Sequence, residues 1–159
     1  MPIVLYRVDE RLIHGQVVLG WGGRLHPDRY VLVCDDIADS VWEQDLYRLA
    51  LEPGQEAEFV TVAAARDRLG EWRDDPRRTI VLTRDLGTMR ELARGGLLEG
   101  EEINVGGIHH GLDREQVLPY VHLGTAERRA LEELVSEGVT VTARDLPDAH
   151  RVSLERLLH

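Results

Sequence analysis

The chain has 159 residues, of which 43% are apolar and 30% are charged, and its formal net charge is −10. This length and composition predict one folded domain, residues 1–159, with a sizeable core. The acidic balance argues against a nucleic-acid partner, because backbone phosphates repel an acidic protein. No apolar run reaches the roughly 18 residues that a membrane-spanning helix requires.

Short apolar segments alternate along the chain with segments of helical period, and this alternation predicts the fold. The predicted strands are Ile3–Val8, Tyr30–Asp35, Glu58–Val62, Thr79–Thr83, Glu102–Val105, Tyr120–Leu123 and Val139–Ala143. The predicted helices are Gln16–Arg24, Ser40–Leu51, Ala63–Arg73, Leu86–Gly95 and Ala126–Glu137, with a closing turn or two at Val152–Leu158. Gly106–Pro119 is predicted to be the longest loop. We expect an α/β fold: a doubly wound, mostly parallel sheet of about six or seven strands with helices on both faces.

Ligands of an open α/β sheet bind at the carboxyl ends of the strands, in the loops that lead to helices. The first such loop is Asp9–Gly15, within the segment RVDERLIHGQVVLGW at residues 7–21. It places His14 between the first predicted strand and the first predicted helix. An arbitrary histidine most often caps a helix or fills a packing gap, but this position favours a functional imidazole.

The residues around His14 are suited to an anion. The backbone amides of Gly15 and Gln16 open the predicted helix, where negative charge is favoured, and Gly15 allows a ligand to approach the backbone closely. Arg11 and Arg7 lie upstream, and both carry forked donors that match phosphate. For Arg7 the alternative is an ion pair with Asp9.

Other common routes to catalysis are absent from the sequence. The chain has no lysine, which removes Walker-type phosphate loops and Schiff-base chemistry, and its three serines do not form a G-x-S-x-G elbow. A neutral imidazole, with an ordinary pKa of about 6.5, has a free lone pair near pH 7. Because arginines and amides stabilise the charge of a transferring phosphoryl group, the pattern predicts phosphoryl transfer through histidine.

The motif R-x-D-x-R-L-I-H-G-Q, from Arg7 to Gln16, resembles the active-site signature of a known family. The family that it resembles consists of the IIB components of the mannose/fructose/sorbose class of the bacterial sugar phosphotransferase system (PTS). Further matches follow in order along essentially the whole chain: Asp35-Asp36-Ile37-Ala38, N-V-G-G at Asn104–Gly107, and G-V-x-V-x-x-R-x-L-P-D at Gly138–Asp148.

The resemblance implies a phosphocarrier that works with two partners. His14 would receive a phosphoryl group, through Nδ1, from the phosphohistidine of a IIA protein and pass it to a sugar bound by the membrane components IIC and IID. Arg11 would grip the phosphoryl group, and the amides of Gly15 and Gln16 would cradle it. Arginine and amides supply the positive field, so no metal and no cofactor is expected.

Four further side chains are candidate supporting residues. Asp9 is expected to temper the charge of the arginines, with an ordinary turn carboxylate as the alternative. Asp35 would orient His14 or an arginine, or else serve a helix N-terminus. Thr83 ends a predicted strand within reach of the site, although turn chemistry is favoured. Asn104, with the glycines that follow it, is expected to shape the sheet edge beside the site.

Two readings from other classes stay open in the sequence. The first is a regulatory phosphocarrier whose output is a protein interaction rather than sugar transport, and the second is an anion-binding module in which His14 never reacts. The single cysteine and the lack of a basic leader before MPIVLY favour the cytoplasm. A IIB component would associate peripherally with the membrane transporter, and the sequence leaves open whether the chain forms a homo-oligomer.

Overall fold

The computed structural model describes residues 2–157. Its centre is a seven-stranded sheet with the order β3-β2-β4-β1-β5-β8-β9, in which β9 alone pairs antiparallel. The strands of this sheet are β1 (Ile3–Asp9), β2 (Arg29–Val33), β3 (Glu56–Val60), β4 (Thr79–Thr83), β5 (Glu102–Gly107), β8 (Thr140–Ala143) and β9 (Val152–Ser153). Two further strands, β6 (Glu115–Leu118) and β7 (Val121–Leu123), form an antiparallel pair of their own.

Helices follow the strands and cover both faces of the sheet. A π-helical segment, Gln16–Trp21, runs directly into an α-helical turn, Gly22–Leu25, and the two together are α1. The remaining helices are α2 (Asp35–Ala38), α3 (Val41–Arg48), α4 (Val62–Asp74), α5 (Leu86–Ala93) and α6 (Thr125–Ser136). Single 3₁₀ turns lie at Arg94–Gly96 and Leu154–Leu157.

Each face of the sheet has its own apolar core. One core joins alternate residues of β1, such as Tyr6 and Val8, to the buried sides of α4, α5 and α6. The other core joins Leu32 and Leu82 to α1 and α2. The predicted α/β architecture with helices on both faces is therefore confirmed, and buried β strands explain why their sequences read as nearly continuous apolar runs.

The predictions fail where the chain leaves the parallel sheet. The strand predicted at Tyr120–Leu123 belongs to the β6–β7 pair, and the predicted long loop Gly106–Pro119 contains the end of β5 and all of β6. Helical turns were predicted from Val152, but Val152–Ser153 is strand β9, which pairs with β8 before the 3₁₀ turn. Leu158, the last residue of that prediction, lies outside the described residues. Strands of only two to four residues are too short for their hydrophobic periodicity to distinguish them from helical turns.

The β1–β5 pair positions the site. Arg7 lies beside Asn104 and Asp9 lies beside Gly107 in parallel register, with an irregularity between Val8 and Asp9. Arg7 and Asp9 therefore lie two residues apart at the carboxyl end of a central strand, on the face that α1 covers. Among residues 2–157, no helix is long and apolar enough to cross a membrane.

Candidate active site

Asp9 is the centre of the site, and its carboxylate has no solvent-exposed surface. Oδ2 accepts hydrogen bonds from Arg7 Nη2 at 3.1 Å and from Arg11 Nη2 at 3.3 Å, and it lies 3.0 Å from His14 Nε2. Oδ1 accepts the backbone N–H of Arg11 at 3.0 Å and its Nε–H at 3.2 Å. One buried carboxylate thus connects both arginines and the histidine of the sequence motif.

These contacts set the protonation state of Asp9. Burial by itself raises the pKa of a carboxyl group, but the hydrogen bond to His14, the charge of Arg7 and the bonds from Arg11 outweigh burial and lower the pKa of Asp9 far below its usual range. Asp9 is therefore ionised at neutral pH and can only accept hydrogen bonds.

Arg7 is fully buried and does not open towards a ligand. Its Nη1 donates to the side-chain oxygen of Asn104 and to the carbonyl of Arg144, and its Nη2 donates to the carbonyl of Asp145 as well as to Asp9. Burial lowers the pKa of Arg7, although Asp9 opposes the shift, and a guanidinium nevertheless stays charged in proteins. The structure has the arrangement that the sequence leaves as the alternative to a direct clamp, an ion pair between Arg7 and Asp9.

The segment N-V-G-G makes room for this buried arginine. A Cβ atom on Gly106 would lie 1.9 Å from Arg7 Nη2, and one on Gly107 would lie 3.1 Å from Asp9 Oδ1. Any larger residue at position 106 would displace the guanidinium. Asn104 is also buried, and its side-chain oxygen accepts a hydrogen bond from Arg7.

Trp21 closes the other side of the arginine. The Cζ atom of Arg7 lies 5.2 Å from the centre of the indole ring, and the Cζ atom of Arg144 lies 5.0 Å from it. The indole N–H donates to the carbonyl of Asp145 at 2.9 Å. The carboxyl-terminal motif at Gly138–Asp148 therefore contributes backbone carbonyls to the site. The sequence flagged the motif but gave no sign of this contact, because carbonyls are independent of side-chain type.

His14 and Arg11 are the partly open members of the site, with side chains that are 17% and 37% exposed. Arg11 Nη2 donates to Gln16 Oε1 at 2.9 Å, whereas its Nη1 has no bond to another described residue. The backbone N–H of Gln16 lies 3.3 Å from His14 Nδ1. Gly15 is exposed, and a Cβ there would meet no atom within 4 Å, so space lies open beside the ring.

Two backbone amides at the start of α1 are already engaged within the chain. The N–H groups of Val17 and Val18 both donate to the carbonyl of His14, at 3.0 and 2.9 Å.

Upstream, Leu12 has a φ of 56° in the left-handed region and is fully buried. A left-handed leucine costs roughly 1 kcal/mol, which its packing in the core must offset.

Two predicted supporting residues lie outside this network. Asp35 begins α2, and its carboxylate accepts the backbone N–H of Val62 at 2.8 Å, which places it at the start of α4. Thr83 is buried and its hydroxyl donates to the carbonyl of Asp85 at 2.9 Å. Both residues serve helix starts and turns, and neither bonds to His14, Arg7 or Arg11 within the described chain.

A second ion-pair group borders the loop. Glu10 binds Arg114 at 2.9 Å and His109 at 3.0 Å, and Arg114 reaches Glu127 at the start of α6 at 3.3 Å. His109, in the loop after β5, is thus paired with the carboxylate of Glu10. The described residues contain no group of three histidine, cysteine or acidic side chains able to hold a metal ion.

Replacing Asp9 by asparagine should destabilise the protein in a pH-dependent manner. At pH 7 the variant leaves the buried Arg7 charge without its anionic partner, and we expect a loss of about 3–5 kcal/mol in the free energy of unfolding. The contribution of a carboxylate with a lowered pKa is complete above the unfolded pKa of about 4 and falls as the pH drops below it. Urea unfolding at pH 7, 5 and 3 measures the difference.

The gap between wild type and Asp9→Asn should therefore be equal at pH 7 and 5 and smaller at pH 3. Asp148→Asn is the matched control, since this carboxylate is 87% exposed and pairs with the exposed Arg24. We expect it to change stability by less than about 0.5 kcal/mol. An undiminished Asp9→Asn gap at pH 3 would contradict the assignment of a lowered pKa to Asp9.

The chain is similar in sequence and in fold to known proteins. Residues 3–159 match the family model described as the PTS system sorbose subfamily IIB component. The chain is 29% identical over 159 residues to the N-acetylgalactosamine-specific phosphotransferase enzyme IIB component 2 of Escherichia coli K12, covering 99% of this chain and 100% of that protein. It is also 26% identical to the mannose-specific EIIAB component of the same organism, covering 99% of this chain and 49% of that longer protein.

A solved structure shows the same fold. The IIB domain of the sorbose permease from Klebsiella pneumoniae superposes with a TM-score of 0.84 at 26% identity, covering 97% of this chain and 94% of that one. The family match spans the motif loop, the whole sheet and all of the helices described above. This chain therefore belongs to the sorbose subfamily of IIB components of the sugar phosphotransferase system.

Proposed function

We propose that this IIB component carries phosphoryl groups on His14, receiving each one from a IIA phosphoprotein and passing it to a sugar bound by membrane IIC and IID components. The observation that carries the proposal is the 3.0 Å contact between the buried Asp9 carboxylate and His14 Nε2. Membership of the family makes the chain a component of a sugar phosphotransferase. The assignment of the reacting atom and of the residues around it is the proposal.

The contact with Asp9 selects the reactive nitrogen. An ionised carboxylate only accepts hydrogen bonds, so Nε2 must carry the ring proton. The lone pair of the neutral ring is then on Nδ1, the nitrogen that faces the N–H of Gln16 at 3.3 Å. Asp9 also stabilises the positive charge that the ring acquires when Nδ1 bonds to phosphorus, as a buried carboxylate does for other catalytic histidines.

The transfer steps balance without a cofactor. The Nδ1 lone pair forms a bond to phosphorus while the P–N bond of the donor phosphohistidine breaks, and that electron pair returns to the donor imidazole. In the second step a sugar hydroxyl oxygen attacks phosphorus, the bond to Nδ1 breaks and its electrons return to His14. The hydroxyl proton leaves to a base or to water.

Arg11 and the backbone amides are the proposed electrostatic support. The Nη1 group of Arg11 makes no hydrogen bond to another described residue, and the side chain is 37% exposed. Nη1 can therefore donate to a phosphoryl oxygen. The Gln16 side chain and Asp9 fix the remaining face of the guanidinium. Donors held in place before charge develops stabilise a transition state more strongly than mobile ones.

The partners follow from the chemistry of the chain. A protein that carries a phosphoryl group on one open histidine must present that residue to a donor and then to an acceptor. The E. coli relative that is named EIIAB is about twice the length of this chain, which supports a IIA protein as the donor. We place the chain in the cytoplasm, peripherally associated with its membrane components.

Phosphorylation of His14 is testable by intact mass. Incubation with phosphorylated IIA should add one phosphoryl group, and acid treatment should remove it, because phosphoramidate bonds are acid-labile. His14→Ala should gain none. His109→Ala is the control, since this exposed imidazole contacts Glu10 of the same loop and not Asp9. The His109→Ala variant should accept the phosphoryl group at the wild-type rate. A phosphoryl group on His14→Ala would place the acceptor elsewhere and refute the proposal.

Arg11→Gln should fold normally but transfer slowly. Removing one preorganised donor from a charged transition state reduces the rate by about 10²–10³-fold. Single-turnover transfer from phosphorylated IIA, followed by rapid quench, measures this rate. Arg24→Gln removes a more exposed arginine on the carboxyl-terminal turn of α1 and should leave the rate unchanged. If Arg11→Gln reacts as fast as Arg24→Gln, Arg11 does not support the transfer.

A further inference from the structure

Helix α3 turns an apolar side towards solvent. None of its side chains is fully buried. Its inner side packs through Tyr47, whose ring centre lies 6.4 Å from that of Phe59, and Gln44 donates to the carbonyl of Ile37 at 2.8 Å. Four large apolar side chains point outwards and are 56–81% exposed: Val41, Trp42, Leu46 and, just past the helix, Leu49.

These four make up most of the exposed large apolar side chains of the described chain, which elsewhere occur singly at Leu19, Leu112 and Leu146. Scattered exposed leucines are normal, whereas a cluster that contains a tryptophan marks an interaction surface. A helix that forms only to close a crossover between β2 and β3 has no need to place Trp42 and Leu46 in water.

The same stretch is strongly acidic. Residues 35–52 hold six carboxylates and one arginine: Asp35, Asp36, Asp39, Glu43, Asp45, Glu52 and Arg48. Arg48 is already paired with Asp45 at 3.2 Å and lies over the Phe59 ring. Arg84, which directly follows β4, is a nearby cation that interacts with Glu43. We define the α3 patch as Val41, Trp42, Leu46 and Leu49 within this acidic border.

The α3 patch lies beside the active-site edge but does not cover it. Helix α3 begins after the carboxyl end of β2, the edge at which His14 also lies, and runs towards the start of β3. Strands β2 and β4 separate β3 from β1 in the sheet, so α3 packs about 10–15 Å to the side of the site. A partner held on α3 would therefore leave the opening at His14 free.

We propose that the α3 patch docks the cytosolic face of the membrane component that receives the phosphoryl group. This inference rests on the proposed function. The occupant is an apolar segment flanked by lysine and arginine, and cytosolic loops of membrane proteins carry an excess of these residues. Apolar contact with Trp42 and Leu46 supplies affinity, and the acidic border orients the loops. The sugar site is thereby held next to His14.

Charge argues against two other occupants. A second copy of the chain would bring the same acidic border against this one, and like charges face to face oppose association. A bare lipid surface is equally unsuited, because the cytosolic leaflet is anionic and repels a protein of net charge −10. A basic, apolar protein segment avoids both repulsions.

Co-sedimentation with vesicles tests the docking directly. The probes are vesicles that contain the source organism's IIC and IID proteins and vesicles of the same lipids without them. The unphosphorylated full chain should sediment with the former only, and less so at high salt. The double variant Trp42→Ser/Leu46→Ser should bind about tenfold or more weakly. Leu112→Ser, which removes a fully exposed leucine outside the patch, should bind like the wild type.

A second measurement separates this docking from the phosphoryl chemistry. The double variant should keep the thermal unfolding midpoint of the wild type and accept the phosphoryl group from phosphorylated IIA at an unchanged rate. A slower IIA reaction would make IIA the occupant, and a wild-type dimer that the variant dissociates would make it a second copy. Either result overturns the proposal. It is also overturned if the chain binds lipid-only vesicles equally well, if Leu112→Ser loses as much binding as the double variant, or if the chain does not bind the vesicles that contain IIC and IID. Failure of IIA transfer in the wild type would instead refute the proposed function.

Discussion

The site depends on a negative charge held away from water at the carboxyl end of β1. Asp9 has no exposed surface and contacts two guanidinium groups and one imidazole. Such a carboxylate is stable only because cations and N–H groups replace the water that it lost. In return it fixes the position of each partner, and it supplies the acceptor that decides which nitrogen of His14 holds the proton.

The two arginines of the motif consequently differ in burial and in their contacts. Arg7 is the buried counter-ion, enclosed by Trp21, Asn104 and the carbonyls of Arg144 and Asp145. Arg11 lies on the outer side of Asp9 and keeps donors available to a ligand. Their spacing explains the division, because Arg7 is still within the strand and on its covered face, whereas Arg11 has passed into the loop. Under the proposed function, a second exposed guanidinium would bind the phosphoryl group more tightly and slow its release.

Much of the fold was predictable because buried parallel strands are short apolar runs separated by helical segments. The strand Thr79–Thr83 was predicted with the bounds that the structure has, and its neighbours differ by one or two residues. Strand β6, its pairing with β7 and strand β9 were not predictable, since these segments are short and their pairing depends on the folded structure. The shared location of His14, Arg11, Asp9 and Gln16 was predictable because these residues are close together in the sequence. Whether Arg7 faces solvent or core depends on Gly106, Trp21 and residue 144, which are distant in sequence and cannot be placed without the fold.

The claim that Asp9 selects the tautomer of His14 can be measured without any partner protein. Long-range ¹H–¹⁵N NMR of the chain labelled with ¹⁵N-histidine, at about pH 9 where imidazoles are neutral, distinguishes a protonated from an unprotonated ring nitrogen. We expect the His14 ring to carry its proton on Nε2, with Nδ1 free, and to lose this preference in Asp9→Asn. A proton on Nδ1 in the wild-type protein would contradict the account.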